Sequence, residues 1–215
     1  MKRNLPTHHK IIIILIIFYT VGVAGLSLPA TKDYIELLTP YTLLMNISLL
    51  FVYHKPWTYL HLALFAVIAV TGYLVEVAGV YTGLVFGDYS YGNTLGLQLY
   101  STPLIIGVNW LMLIYFVYHL TGTARLSKPV KIIAGASLMV AYDIILEPVA
   151  IRMNMWEWAG NDIPLQNYLA WFFISIAFLS LLHIFRVRIE NKILPGLFAV
   201  QAGFIFTLNI IYRII

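Results

Sequence analysis

Long apolar stretches follow one another along almost the whole chain and are interrupted by few charged residues. A helix needs about 20 apolar residues to cross the hydrocarbon core of a bilayer. The second stretch is the weakest candidate, because Glu36, Pro40 and Asn46 interrupt it. The pattern predicts seven membrane-spanning helices, over residues 10–28, 36–53, 59–82, 101–121, 130–151, 166–186 and 193–213.

The composition agrees with a membrane domain. The chain has 215 residues, 61% of them hydrophobic and 10% charged, whereas soluble domains carry about 25% charged residues. No polar block separates the apolar stretches, so we expect one all-α transmembrane domain over residues 1–215. The absence of cysteine excludes disulfides, thiolate metal ligands and a cysteine nucleophile. The net charge of +4 does not indicate nucleic acid binding, because the basic residues flank the membrane spans.

Basic residues are unevenly distributed between the two sides of the predicted bundle. Cytoplasmic loops of membrane proteins carry an excess of lysine and arginine. A cytoplasmic N-terminus and an outside C-terminus satisfy this rule, and we expect a multi-pass protein of the inner (plasma) membrane with its first apolar segment retained. The inner segments then hold Lys2, Arg3, Lys10, Lys55, Arg125, Lys128, Lys131, Arg186, Arg188 and Lys192, and the outer segments hold Lys32, Arg152 and Arg213.

Several carboxyl groups fall in or near the predicted spans, where they are costly and usually mark a functional site. Asp143 and Glu147 are four residues apart on the fifth predicted helix and share one face. Glu76 lies in the third helix, and Asp88 and Asp162 lie in the two outer loops. We expect these groups to converge at the outer end of the bundle. A neutral carboxylic acid beside an ionised one can perform general acid and base catalysis.

Other interpretations of these residues remain open. The carboxyl groups can instead form an ion pair with Arg152 or hydrogen bonds with Tyr73, Tyr142 and Asn109. The outer loops, residues 83–100 and 152–165, are rich in Tyr, Trp, Gly and Asp, which fits either an aromatic belt at the membrane surface or a cap over a site.

Histidines do not indicate a metal centre. His54, His61, His119 and His183 fall near cytoplasmic helix ends, where an interfacial role is the simplest interpretation. Membrane oxygenases that hold two iron ions need several close histidine pairs, so a metal-dependent hydroxylase is disfavoured and we expect no metal. A retinal protein is excluded because the seventh predicted helix carries no lysine in its interior.

Several blocks between residues 72 and 171 resemble the CruF-type carotenoid biosynthesis family, and they occur in the same order. The chain departs from the family pattern at Glu147, where aspartate is usual. The blocks are Gly72 to Gly83 around Glu76, Phe86 to Tyr91, Leu95-Gly96, Pro103, Trp110, Asp143 to Pro148, Trp156 to Trp158, and Ile163 to Trp171.

The resemblance implies a cofactor-independent hydro-lyase, of the carotenoid 1,2-hydratase and bisanhydrobacterioruberin hydratase type. Such an enzyme adds water to the terminal double bond of an acyclic carotenoid end group and gives a tertiary hydroxyl. The expected partners are a carotenoid substrate, the lipid bilayer and other enzymes of the same pathway.

Candidate roles follow from this chemistry, which needs a proton donor, an oriented water molecule and stabilisation of a carbocation. Asp143 or Glu76 is the candidate proton donor, and Glu147 and Asp162 are candidates for organising water. The candidate substrate-binding residues are Tyr73, Tyr89, Tyr91, Asn109, Trp110, Trp158, Asn167 and Trp171.

Two alternatives stand beside the hydratase. Intramembrane acids also serve as proton relays, so a small proton-coupled transporter is one of them. It would need polar residues through the whole bundle, whereas here they cluster in the outer half. The other is a membrane protein that binds carotenoid without catalysis, for which the aromatic residues would suffice.

Overall fold

Residues 6–214 are described by the computed structural model of the chain. Seven of their segments are long and apolar enough to cross a membrane, which confirms the predicted spans. The predicted orientation stays a prediction, and Lys2 and Arg3, which contribute to it, lie outside the described residues. The helices are α1 (Thr7–Ser27), α2 (Lys32–Glu36), α3 (Thr39–Tyr53), α4 (Tyr59–Thr82), α5 (Ile105–Gly122), α6 (Lys128–Arg152), α7 (Leu165–Ile184) and α8 (Leu194–Ile214).

The second span is broken into α2 and α3. Pro40 lies in the first turn of α3, where its missing N–H costs no helical hydrogen bond and its fixed φ suits the start of a helix. The break therefore falls where the sequence already showed the weakest stretch. Pro148, in contrast, lies inside α6, which continues through it to Arg152.

The domain is helical, as predicted, and the predicted outer loops add only short strands of two or three residues. Strands β2 (Gln98–Leu99) and β3 (Thr102–Pro103) form a hairpin before α5, which therefore begins four residues later than predicted, at Ile105. Strand β1 (Tyr89–Tyr91) pairs antiparallel with β4 (Trp156–Trp158), joining the α4–α5 loop to the α6–α7 loop. A 3-10 turn (Ala159–Asn161) follows β4.

Helix α5 is the central helix of the bundle. It packs against α3, α4, α6 and α7, and most of its side chains are buried on all sides, as expected for a helix that is apolar all round. Gly72 allows α4 to come close to it, because a Cβ there would lie only 2.8 Å from the Cβ of Trp110. This close packing places Glu76, one turn further along α4, beside α5.

A cluster of polar side chains, here called the inner polar cluster, lies at the end of the bundle opposite the β1–β4 ribbon. Asn191 Nδ2 donates to Tyr115 Oη at 3.0 Å and to the carbonyl of Leu50 at 2.9 Å. Tyr115 Oη lies 2.9 Å from Nδ1 of His54, and His54 and His61 are both buried. These two histidines therefore do not have the expected interfacial role, because both lie in the packed interior. His54 is bonded to Tyr115, and the backbone N–H of His61 donates to Thr58 at the start of α4.

Acid is expected to destabilise the protein through His54. Burial, aided by the charge of His61, lowers the pKa of His54 from 6.5 to about 4, so its stabilising neutral form is present above pH 6.5 and is lost as the pH falls towards 4. The expected loss is on the order of 2 kcal/mol at full protonation. Thermal unfolding of His54→Asn across this pH range should show a weaker acid dependence than the parent. His9→Asn, a change at an exposed residue, is the matched control, and equal slopes for all three proteins would contradict the prediction.

Candidate active site

Glu76 accepts three hydrogen bonds from aromatic side chains. Tyr89 Oη and Tyr91 Oη donate to its Oε2 at 2.6 and 2.7 Å, and Trp110 Nε1 donates to its Oε1 at 2.8 Å. The side chain is 5% exposed. Gly79, one turn after Glu76, leaves room for the ring of Phe86, since a Cβ there would lie 2.6 Å from a ring carbon of Phe86 and 3.3 Å from the hydroxyl oxygen of Tyr89. Both carboxylate oxygens of Glu76 are therefore occupied by donors that stabilise the ionised form.

Glu147 accepts two hydrogen bonds, both from indoles. Trp156 Nε1 and Trp158 Nε1 each donate to its Oε2 at 3.0 Å. Glu147 is 1% exposed, and its Oε1 receives no hydrogen bond from residues 6–214. That oxygen remains available to a ligand or a water molecule.

The β1–β4 ribbon supplies four of these five donors. In the antiparallel register Tyr89 lies opposite Trp158 and Tyr91 lies opposite Trp156. Side chains alternate along a strand, so all four rings point to the same face, while Ser90 and Glu157 form a hydrogen bond of 3.2 Å on the other face. The ribbon covers the carboxyl groups on the side of the loops. The four rings on its inward face donate hydrogen bonds to Glu76 and Glu147.

Asp143 is held differently from the two glutamates. Asn167 Nδ2 on α7 donates to its Oδ2 at 2.7 Å, while its Oδ1 is buried and has no partner among the described residues. Asp143 is 1% exposed. A buried carboxyl oxygen without a donor is costly as a carboxylate, whereas a proton on that oxygen makes the group neutral and gives it a hydrogen-bond donor.

The three carboxyl groups line one small cavity together with aromatic side chains. Trp110 and Trp171 stack in its wall, with ring centroids 4.5 Å apart and ring planes tilted by 30°. The cavity volume is about 30 Å³, which exceeds the roughly 10–15 Å³ that one water molecule needs. The cavity can hold water beside the carboxyl groups, and the ring faces of the two indoles can stabilise a cation there.

Most of the predicted site residues meet at this cavity. Glu76, Asp143, Glu147, Tyr89, Tyr91, Asn109, Trp110, Trp158, Asn167 and Trp171 all line it. Two predicted residues are elsewhere: Asp162 is exposed beyond the 3-10 turn, and Tyr73 donates to the carbonyl of Leu99 at 2.6 Å on the outer surface of α4. The geometry gives neither of them a place at the cavity.

Trp156 is the important residue that the sequence analysis did not include in the site. Its Nε1 donates to Glu147, and its ring lines the cavity. Phe86 also lines the cavity and was also not included. The signal was present in the alternation of Trp156, Glu157 and Trp158, which is the two-residue period of a strand and places both indoles on one face. Within the described part of the chain, no group of three or more His, Asp or Glu side chains is arranged to hold a metal ion.

Both phenols of the ribbon are expected to stay protonated at physiological pH. Burial raises the pKa of Tyr89 and of Tyr91, and the charge of Glu76 raises both further. Because the pKa is raised in the folded state, the stabilisation from the hydrogen bonds to Glu76 is complete below the ordinary tyrosine value of about 10 and is lost as the pH rises from there through the raised pKa.

Tyr91→Phe is expected to lower stability, because it removes one hydrogen bond to a charged acceptor and leaves Glu76 with two donors. Such bonds contribute about 1.5–3 kcal/mol each. Thermal unfolding in detergent measures the effect at neutral pH. Tyr81→Phe, at an exposed tyrosine of the same helix as Glu76, is the matched control. Equal melting temperatures for Tyr91→Phe and Tyr81→Phe would show that the bond to Glu76 contributes nothing.

Comparison with known proteins places this chain in a family. A sequence profile described as carotenoid biosynthesis protein matches residues 38–211, which is most of the chain. The chain belongs to this family. The resemblance carried by residues 72–171 is thereby confirmed, and the carotenoid biosynthesis family match extends from the break before α3 into α8.

The chain is also similar to a curated protein, a bisanhydrobacterioruberin hydratase from Haloarcula japonica. It is 27% identical over 121 residues, covering 49% of this chain and 40% of the relative. The chain therefore matches less than half the length of that protein. No solved structure matches the chain.

Proposed function

We propose that the chain is a carotenoid hydratase, which adds water to the terminal double bond of an acyclic carotenoid end group by acid catalysis. The observation that carries this proposal is the convergence of three buried carboxyl groups with unequal hydrogen bonding on one water-sized cavity. The activity named for the relative from Haloarcula japonica, together with the family, supports the same chemistry.

Asp143 is the proton donor in this mechanism. Glu76 and Glu147 are held ionised by three and two donors, whereas Asp143 has one donor and an unpartnered Oδ1 that carries the proton. The π electrons of the terminal double bond form a new C–H bond with this proton. The positive charge then develops on the more substituted carbon, as a tertiary carbocation.

The carbocation is stabilised by its surroundings. The carboxylate of Glu76 supplies a fixed negative charge, and the stacked rings of Trp110 and Trp171 offer their electron-rich faces. Because Glu76 has both oxygens occupied, its role is electrostatic and it does not take up a proton.

Glu147 is the general base for the second step. Its free Oε1 accepts a hydrogen bond from a water molecule in the cavity and takes a proton from it as the water oxygen attacks the cation. The product is a tertiary alcohol. Asp143 and Glu147 are one helical turn apart on the same face of α6, so the proton can return from Glu147 to Asp143 through a second water molecule and restore the starting state.

The interior of the bundle favours a hydratase over a proton-coupled transporter. On α4 the buried residues between His61 and Glu76 are Leu64, Phe65, Ile68 and Gly72, and on α5 the residues between Trp110 and Tyr115 are Leu111 to Ile114. None of these side chains can relay a proton. The carboxyl cavity is therefore separated from the inner polar cluster by an apolar layer on both helices.

The test is pigment analysis of bacteria that accumulate lycopene and γ-carotene, with and without this gene, grown anaerobically in water labelled with oxygen-18. We expect a more polar carotenoid that is heavier by one labelled water. A polar carotenoid that forms only when air is admitted, and that carries no oxygen-18, would replace the hydratase by an oxygenase. Pigments that bind to the purified protein but remain unchanged would favour carotenoid binding without catalysis.

A further inference from the structure

A second and larger cavity lies beside the carboxyl groups. Its volume is about 190 Å³, and helices α1, α3, α5, α6 and α8 contribute its almost entirely apolar wall. Ile106, Asn109 and Trp156 line both cavities, so the apolar cavity adjoins the polar one directly. An apolar group lying in the larger cavity can extend one end towards Asp143 without leaving the protein interior.

Helices α1 and α3 both border the larger cavity and pack little against each other, so the gap between them is the route from this cavity to the lipid. Helix α1 packs mainly on α8 and α2, whereas α3 packs mainly on α5. Val21 on α1 and Thr42 on α3 lie along the cavity, and Val21 is 60% exposed on the surface that faces the bilayer. The inner end of the opening is closed by a hydrogen bond of 2.6 Å from Asn46 Nδ2 to Tyr19 Oη. The opening therefore occupies only the outer half of the bundle, at the depth of the carboxyl groups.

The volume indicates how much of a ligand is enclosed. Pockets that bury a drug-sized molecule measure about 300–1,000 Å³. A cavity of 190 Å³ therefore encloses only an end segment of a long molecule, and the remainder must lie in the surrounding lipid. A long, thin, apolar molecule already dissolved in the bilayer fits these requirements.

We propose that this cavity binds the acyclic end segment of a polyene and that the polyene enters it sideways from the bilayer, between Val21 and Thr42. The inference rests on the proposed function for the identity of the ligand. The terminal group then reaches the carboxyl cavity through a passage lined by Ile106, Asn109 and Trp156, which admits only a thin group. Water and substrate consequently occupy different cavities before reaction.

The chain has no cysteine, so an introduced thiol is the single site of labelling. The test uses Val21→Cys in lipid nanodiscs, before and after reaction with a bulky pyrenyl maleimide, with lycopene as the probe. Val70→Cys is the matched control, because Val70 is 56% exposed on the lipid side of α4 and does not line the cavity. Bound lycopene is measured by its visible absorption per protein, and hydration is measured in the same samples.

Labelling of Val21→Cys is expected to lower bound lycopene by roughly tenfold or more, and labelling of Val70→Cys to leave it unchanged. Thr42→Trp, on the other side of the opening, should show the same loss without any label. Equal binding and hydration by both labelled proteins would overturn the cavity assignment. Binding that is sensitive to the Val21 label but gives no hydrated product would support the assignment and overturn the hydratase function.

Discussion

Asp143→Asn is expected to abolish hydration while leaving the bundle folded. The substitution keeps an oxygen that accepts the hydrogen bond from Asn167, but it removes the carboxyl proton of a group that lines the cavity. General acid catalysis contributes about 10²–10⁴-fold, and the rate of hydration should fall by at least that factor. The measurement is the hydrated pigment formed per protein from lycopene, by chromatography and mass analysis.

Asp162→Asn is the control for this experiment. Asp162 is an exposed carboxyl group of the same type that does not reach the cavity, and its replacement should leave the rate unchanged. The melting temperature of Asp143→Asn should stay close to that of the parent, because a neutral carboxylic acid is replaced by a neutral amide of nearly the same shape. Hydration that persists in Asp143→Asn at the parental rate would remove Asp143 from the role of acid.

Glu76→Gln is expected to damage both stability and activity. The glutamine side chain brings an NH₂ group to a position where three donors already point, so at least one donor is left without an acceptor. An unsatisfied buried donor costs about 1–3 kcal/mol, and hydrogen bonds that remain lose their charged acceptor. We expect a clearly lower melting temperature and a rate reduced by about 10²-fold or more, because the charge that stabilises the cation is gone.

The matched control is Glu157→Gln, the same substitution at an exposed residue of β4 whose side chain lies on the opposite face of the ribbon. Both the melting temperature and the rate of that variant should stay near the parental values. A Glu76→Gln protein that melts like the parent but has lost activity would assign Glu76 a purely chemical role. A variant with full activity would exclude the proposed electrostatic role.

The sequence was sufficient for the spans and for the three carboxyl groups. Apolar stretches of membrane length leave helices as the main solution, and a carboxyl group in such a helix stands out because it is costly there. Asp143 and Glu147 share a face by helical spacing alone, and no further information was needed to place them together.

The sequence was not sufficient for the arrangement of the loops. Asp162 and Trp156 lie within the same predicted loop, residues 152–165, yet only Trp156 reaches the cavity, because pairing of β4 with β1 fixes which side chains point inwards. Such pairing joins residues that are 67 positions apart, and nothing within either loop specifies its partner. The apolar cavity was equally hidden, since its wall combines several helices whose packing no single stretch encodes.

The β1–β4 ribbon also determines when, during synthesis of the chain, the carboxyl groups gain their hydrogen-bond donors. Glu76 is synthesised early. The hydrogen-bond donors of Glu147, Trp156 and Trp158, and the donor of Asp143, Asn167, are synthesised later. A nascent chain therefore holds poorly solvated acids in the membrane until its sixth span, α7, has been inserted. The last helix, α8, adds nothing to the carboxyl cavity but completes the apolar one through Gln201, Phe204 and Ile205. The carboxyl cavity is thus assembled before the apolar cavity is closed.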